Sequence, residues 1–325
     1  MYKKLALFAV AWTFALIVLG AYVRLSDAGL GCPDWPGCYG KATPVHAMED
    51  ILAAHAQAPT GPVSLAKAWK EMVHRYAATL LGVMAIVLAV MAVRQRESLR
   101  RPPWLAIGIV LMICWQGAFG AWTVTLKLRP AIVTGHLAFG LATLGLLVWH
   151  AMRQREWPVL QRFPASLRPL AMVGLLILAM QILLGGWVST NYAALACIDF
   201  PSCGGALVPE HMRFTEAFSL ARELGQTSDG QMLTMADITA IQWLHRLGAL
   251  ITFCYVSLLA FSLYRRGVLR SLALAIAAAL LLQVTLGIAN VLFQLPLVLA
   301  VMHNAGAALL LCLMIALNYR LALSR

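Results

Sequence analysis

Eight apolar runs of about 20 residues each recur along the chain, near 5–23, 73–93, 104–126, 131–151, 168–190, 240–264, 271–293 and 297–319. At 1.5 Å of rise per residue, one such run crosses a hydrocarbon core of about 30 Å. Lipid offers the backbone no hydrogen-bond partners, so each run must satisfy its own amides as a helix or join a closed barrel. Barrel strands alternate in polarity, and stretches such as Leu80 to Val93 or Leu272 to Leu282 do not. The expected fold is an all-α integral membrane protein with eight transmembrane helices.

Composition narrows the choice further. Of 325 residues, 61% are hydrophobic and 12% charged, where a soluble domain is roughly half apolar and a quarter charged. That balance excludes a soluble globular enzyme, a disordered tail protein, a collagen and a small disulfide scaffold.

The basic residues separate by side. With a cytoplasmic N-terminus, fifteen of the 25 Lys and Arg fall inside: Lys3, Lys4, Arg94, Arg96, Arg100, Arg101, Arg153, Arg155, Arg162, Arg168, Arg265, Arg266, Arg270, Arg320 and Arg325. The rest are spread over much longer outer loops, so both termini are expected in the cytoplasm. Inner-loop arginines facing anionic lipid account for most of the net charge of +12, and no nucleic acid is needed to explain it. Lys3 and Lys4 before an apolar run also suit a signal peptide, but no clear small-x-small cleavage site follows. The lack of an Arg-rich leader favours a bacterial plasma membrane over a mitochondrial one.

The chain is written twice. Cys32-Pro33-Asp34-Trp35-Pro36-Gly37-Cys38 returns as Cys197-Ile198-Asp199-Phe200-Pro201-Ser202-Cys203, 165 residues on, and Gly20 maps to Gly185 at the same offset. His74-Arg75 matches His245-Arg246 at 171, while Gln116, Gly120 and His136 match Gln283, Gly287 and His303 at 167. Each half holds four helices, an even number, so both enter the membrane alike and are expected to be two tandem four-helix bundles related by a pseudo-twofold along the membrane normal. The expected domains are 1–152 and 168–325, joined by a cytoplasmic linker at 153–167 that is rich in Arg and contains Pro158 and Pro164.

Four of the eight histidines, His74, His136, His245 and His303, lie near the outer starts of helices 2, 4, 6 and 8. A lone membrane histidine is often a satisfied structural group, but four at equivalent repeat positions suggest function. Facing histidines in a four-helix bundle can ligate one haem iron from both sides, and pairing within repeats joins His74 with His136 and His245 with His303. Zinc or copper is the weaker reading, because two histidines supply half of a tetrahedral set. Arg75 and Arg246 stand where a haem's propionates would want cations, or else they snorkel to lipid phosphate. Cys32 with Cys38, and Cys197 with Cys203, suit two local disulfides in an oxidising compartment, serving either as loop clips or as a redox pair. Cys114, Cys254 and Cys312 read as small packing residues inside helices.

The copies differ at one informative place: Glu71, three residues before His74, is matched by Gln242, three before His245. The i, i+3 spacing puts Glu71 on the face of His74. A carboxylate there could take a proton or steady a developing positive charge, whereas a first-turn Glu favoured by the helix dipole is the bland account.

Gly20-Ala21-Tyr22-Val23-Arg24-Leu25-Ser26, the paired loop cysteines, Glu71-x-x-His74-Arg75, Gly135-His136, His245-Arg246 and Met302-His303-Asn304 resemble the heme A synthase family over essentially the whole chain. The resemblance implies a membrane enzyme that oxidises a ring methyl of haem O to the formyl of haem A, by successive hydroxylation and loss of water, for aa3-type terminal oxidases. It implies that His74 and His136 flank the substrate haem, that His245 and His303 ligate a permanent haem b, and that Glu71 is the reactive carboxylate. Cys32, Cys38, Cys197 and Cys203 match loop cysteines of members that have them. Haem O, the haem O synthase that makes it, an electron donor and the lipid bilayer are the implied partners; a homo-oligomer is left open. The outer loop at 208–237 reads only as a surface cap. A bis-histidine di-haem cytochrome that merely relays electrons is the main alternative, with Glu71 against Gln242 as the discriminating feature. A secondary transporter fits less well, because no ionisable Asp, Glu, Lys or Arg lies near mid-span.

Overall fold

The computed structural model describes residues 1–99, 101–160 and 163–323. Arg100, Arg162 and Arg325 of the charge pattern, and part of the 153–167 linker, lie outside the described residues. The described residues are mostly helical, with eight helices long and apolar enough to cross a membrane: α1 Tyr2–Leu25, α2 Leu65–Arg94, α3 Trp104–Thr125, α4 Pro130–Arg153, α5 Leu167–Thr190, α6 Met235–Arg265, α7 Arg270–Leu292 and α8 Leu297–Ala322.

Two helices start earlier than hydropathy suggests. The α2 helix begins at Leu65 rather than 73, because the Ser64 hydroxyl caps it by accepting from the Lys67 N–H at 3.3 Å. The α6 helix begins at Met235 rather than 240, with Thr234 and Asp237 forming a capping box. Both opening turns carry ionisable side chains, so an apolar window passes over them.

Side-chain burial follows helical periodicity. On α2, Leu81, Met84, Ala85, Leu88 and Ala92 are buried, while Leu80, Val83, Ile86 and Val90 point outward. An apolar outer face is what a helix needs when its surroundings are acyl chains. Cys114 and Cys254 also lie on exposed helix faces, so packing does not explain them; Cys312 is half-buried.

The described chain forms two compact units, Met1–Leu147 and Val148–Arg325, the division falling inside α4. In the first, α1 packs on α2 and α2 on α3. Gly135 of α4 lies against Phe119 of α3, where a Cβ would come within 2.6 Å of the ring. In the second, α5 packs on α6, α6 on α7, α7 on α8, and α8 back on α5, closing a ring of four helices. Apolar burial does not drive helices together in lipid, so such close contacts through small residues supply much of the packing.

The loop after α5 is tied down by polar groups. Arg222 is buried at 2% exposure, donates to the Asn191 side chain and lies 5.5 Å over the Trp187 ring. Trp187 Nε1 donates to Ala217 O at 2.9 Å.

Candidate functional site

Each even-numbered helix carries one of the four histidines, and each odd-numbered helix carries a glycine against its ring. A Cβ on Gly20 would come within 2.9 Å of His74 Cε1, one on Gly120 within 3.3 Å of His136 Cε1, one on Gly185 within 3.1 Å of His245 Cε1, and one on Gly287 within 3.0 Å of His303 Cε1. Only a residue without a Cβ lets the backbone approach an imidazole edge this closely. His74 and His136 lie on helices of the first unit, and His245 and His303 on helices of the second.

The ring nitrogens are divided. Gln116 Nε2 meets His136 Nε2 at 3.4 Å, Gln283 Nε2 meets His303 Nε2 at 3.3 Å, and Gln181 Nε2 meets His245 Nδ1 at 3.0 Å. Nδ1 of His74, His136 and His303 is buried with no hydrogen-bond partner. An imidazole that ligates a metal offers one nitrogen and is oriented through the other. Among the described residues no group of three His, Cys, Asp or Glu could hold a metal ion; two imidazoles per unit would suit a metal group that brings its remaining ligands with it.

Glu71 is buried two turns inside α2, which removes the first-turn dipole account of it. Its Oε2 accepts from the Cys32 N–H at 2.9 Å, and its Oε1 is paired with Arg75 Nη2 at 2.6 Å. The carboxylate thus joins the histidine helix to the cysteine loop. Gly31, one residue before, lets that loop press on α2: a Cβ there would fall 2.5 Å from the Lys67 carbonyl carbon.

Both cysteine pairs are bonded, Cys32 to Cys38 and Cys197 to Cys203. The aspartate of each C-x-D-x-P-x-C motif ties its loop. Asp34 accepts from the N–H groups of Tyr39 (2.6 Å) and Gly40 (2.7 Å), and Asp199 from those of Gly204 (2.8 Å) and Gly205 (2.9 Å). The Ser202 hydroxyl, then Gly205 and Gly204, hold the Asp199 carboxyl well below the usual carboxylate range. A depressed value means that this tie persists as pH falls through ordinary carboxylate titration and is lost only in stronger acid. The motif prolines follow cis peptide bonds, Trp35–Pro36 and Phe200–Pro201.

Arg75 and Arg246, expected at a porphyrin's carboxylates, are placed on these loops. Arg75 Nη1 donates to the carbonyls of Asp34 (2.9 Å) and Gly37; Arg246 Nη1 donates to those of Asp199 (2.8 Å) and Ser202 (2.6 Å), and its Nη2 to that of Cys197 (2.7 Å). In the second unit Gln242 is buried and its Oε1 has no partner, so the Glu71 clasp has no equivalent there. Sequence reasoning found the histidines, cysteines and Glu71, but assigned no role to the glycines or glutamines. A Gln-x-x-x-Gly repeated before three of the four histidine helices was the available signal.

The family model described as "Cytochrome oxidase assembly protein" (COX15-CtaA) matches residues 3–315. A curated Heme A synthase of Shewanella oneidensis is 41% identical over 310 residues, covering 95% of this chain and 93% of its own length. The Caulobacter vibrioides Heme A synthase is 30% identical over 339 residues, covering 95% and 93%. That of Bradyrhizobium diazoefficiens is 29% identical over 340 residues, covering 97% and 90%. Matched over nearly its whole length by this family model and by these relatives, the chain belongs to the heme A synthase family.

Proposed function

We propose that the protein oxidises the ring methyl of haem O to the formyl of haem A, with haem O between His74 and His136 in the first unit and a resident haem b between His245 and His303 in the second. The observation that carries this reading is the set of four imidazoles, two in each unit, each seated on a neighbouring helix's glycine. The residues present fit such groups: buried ring nitrogens without protein partners are unstable unless something ligates or hydrogen-bonds them. When bound, haem b would supply a one-electron relay to the reacting site.

The chain's own residues divide the work. His74 and His136 orient the substrate, and the surrounding apolar helices exclude water. Glu71 stands one turn from His74 on the same helix face, its charge held by Arg75 and by the Cys32 N–H. There it steadies positive charge as the methyl group is oxidised and accepts the proton released at a carboxylate oxygen. Gln242, a neutral amide, cannot take a proton, which suits a site that only holds its haem. An electron relay with two equivalent sites gives no reason for this difference.

The cysteine loops would lie outside a bacterial plasma membrane with both termini cytoplasmic. A haem O-forming enzyme and an electron donor would be the partners. The test is direct. Purified protein given haem O, reductant and oxygen is expected to yield the hydroxylated intermediate and then haem A, resolved by chromatography of the extracted pigment. Recovery of haem O alone would overturn the assignment.

The glycines allow a second check. Gly20→Ala and Gly287→Ala are each expected to push a ring by a few tenths of an ångström and lower the haem content of their own unit, read from the absorbance per chain. Gly108→Ala, whose Cβ would meet nothing within 4 Å, should change nothing. Normal haem in both cradle variants would mean that the rings do not depend on those glycines.

A further inference from the structure

Four residues before its cradle glycine, three of the odd-numbered helices carry glutamine: Gln116, Gln181 and Gln283. The first helix carries Leu16. The facing helix differs in step. Where glutamine is present, a glycine three or four residues after the histidine makes room for the amide. A Cβ on Gly140 would come within 3.1 Å of Gln116 Nε2, and one on Gly248 or Gly306 would overlap Oε1 of Gln181 or Gln283. After His74 those two positions are Ala77 and Ala78. The interhelical hydrogen bond in this pair is supplied elsewhere, by Trp12 Nε1 donating to Ala77 O at 2.9 Å. Among the described residues no amide reaches the His74 ring; its Nδ1 is buried without a partner like those of His136 and His303, but their rings each meet an amide at Nε2 and that of His74 does not.

We propose that Leu16, together with Ala77, withholds from His74 the ring hydrogen bond that its three counterparts receive, making it the loosely held imidazole through which the substrate haem is exchanged. The inference rests on the paired-histidine reading above and deepens it. The hydrogen bond to the second nitrogen of an imidazole ligand fixes its tautomer and orientation and raises its strength as a donor. Either end of a glutamine amide can serve, the N–H meeting a bare nitrogen and the carbonyl oxygen a protonated one. A resident haem gains from two rings fixed in this way, as in the second unit with Gln181 and Gln283. A haem that must arrive as substrate and leave as product gains from one fixed ring, His136 with Gln116, and one that can let go. Leu16 and Ala77 are positioning residues, acting through His74.

The experiment uses the full-length protein loaded with both haems and mixed with excess apomyoglobin. Captured haem is extracted over time and haem O is separated from haem b by chromatography. The variant Leu16→Gln/Ala77→Gly installs the missing pair of residues. It is expected to slow haem O transfer about threefold to tenfold, the range one net hydrogen bond gives, and to leave haem b transfer unchanged. Conversely, Gln181→Leu is expected to speed haem b loss by a similar factor. Gln116→Leu, should the double variant fold poorly, is expected to speed haem O loss instead. Wild-type transfer rates in every variant that folds would overturn the proposal. Unchanged haem O content in His74→Ala would show instead that the histidine pairing itself is wrong, a result the transfer rates cannot mimic.

Discussion

His245→Ala protein is expected to purify without the absorbance of the resident haem, while haem O binding at His74 and His136 persists. The same result is expected of His303→Ala. Loss of an outer-shell partner alone commonly costs a metal site about 10- to 100-fold in affinity; removing an axial imidazole should exceed the upper figure and empty the site during purification. The surrounding geometry makes substitution by another side chain difficult. Gly185 and Gly287 hold their helices close to these rings, and among the described residues no third His, Cys, Asp or Glu joins either pair. Haem content is measured by extraction per chain. Retention of normal haem b with both histidines replaced would remove them as ligands.

The second large effect is expected of Glu71→Gln. Haem content should be kept, because the substituted amide still offers an oxygen to the Cys32 N–H. Haem A output should fall by about 10²- to 10⁴-fold, the range for a lost acid or base group. The rival account is mechanical: Glu71 holds the loop in place, and its only task is to pair with Arg75 and Cys32. That account predicts a lower unfolding temperature with product formation per folded molecule unchanged, since breaking a buried ion pair costs about 3–5 kcal/mol. Measuring haem A yield and thermal midpoint on the same preparation separates the two. Unchanged yield would leave Glu71 as a loop anchor.

Much of this was legible before any coordinates. The eight spans follow from hydropathy because lipid imposes a length and a polarity on every helix. The placing of one histidine on each even-numbered helix follows from the repeat, since residues that recur at matched offsets occupy matched places in each half. The starts of α2 and α6 were misjudged because Lys67, Lys70 and Glu71, and likewise Asp237, hide helical turns from an apolar window; Ser64 and the Thr234 to Asp237 box were the better guides. Arg75 and Arg246 were read either as partners of a porphyrin's carboxylates or as snorkelling to lipid phosphate; the loop carbonyls they also meet are distant in sequence and gave no signal. Arg75 and Gly37, 38 residues apart, are such a pair. The burial of Arg222 in the loop after α5 was likewise invisible, because it depends on where Trp187 and Asn191 come to rest.

The glycine contacts carry one more implication, about assembly. Gly20 and His74, Gly120 and His136, Gly185 and His245, Gly287 and His303 each belong to two consecutive spans. Every ring is therefore seated within its own helical hairpin, without help from the hairpin that carries the opposing ring. What remains is to bring two prepared hairpins together, and an iron porphyrin held as proposed would be the cement of that final step.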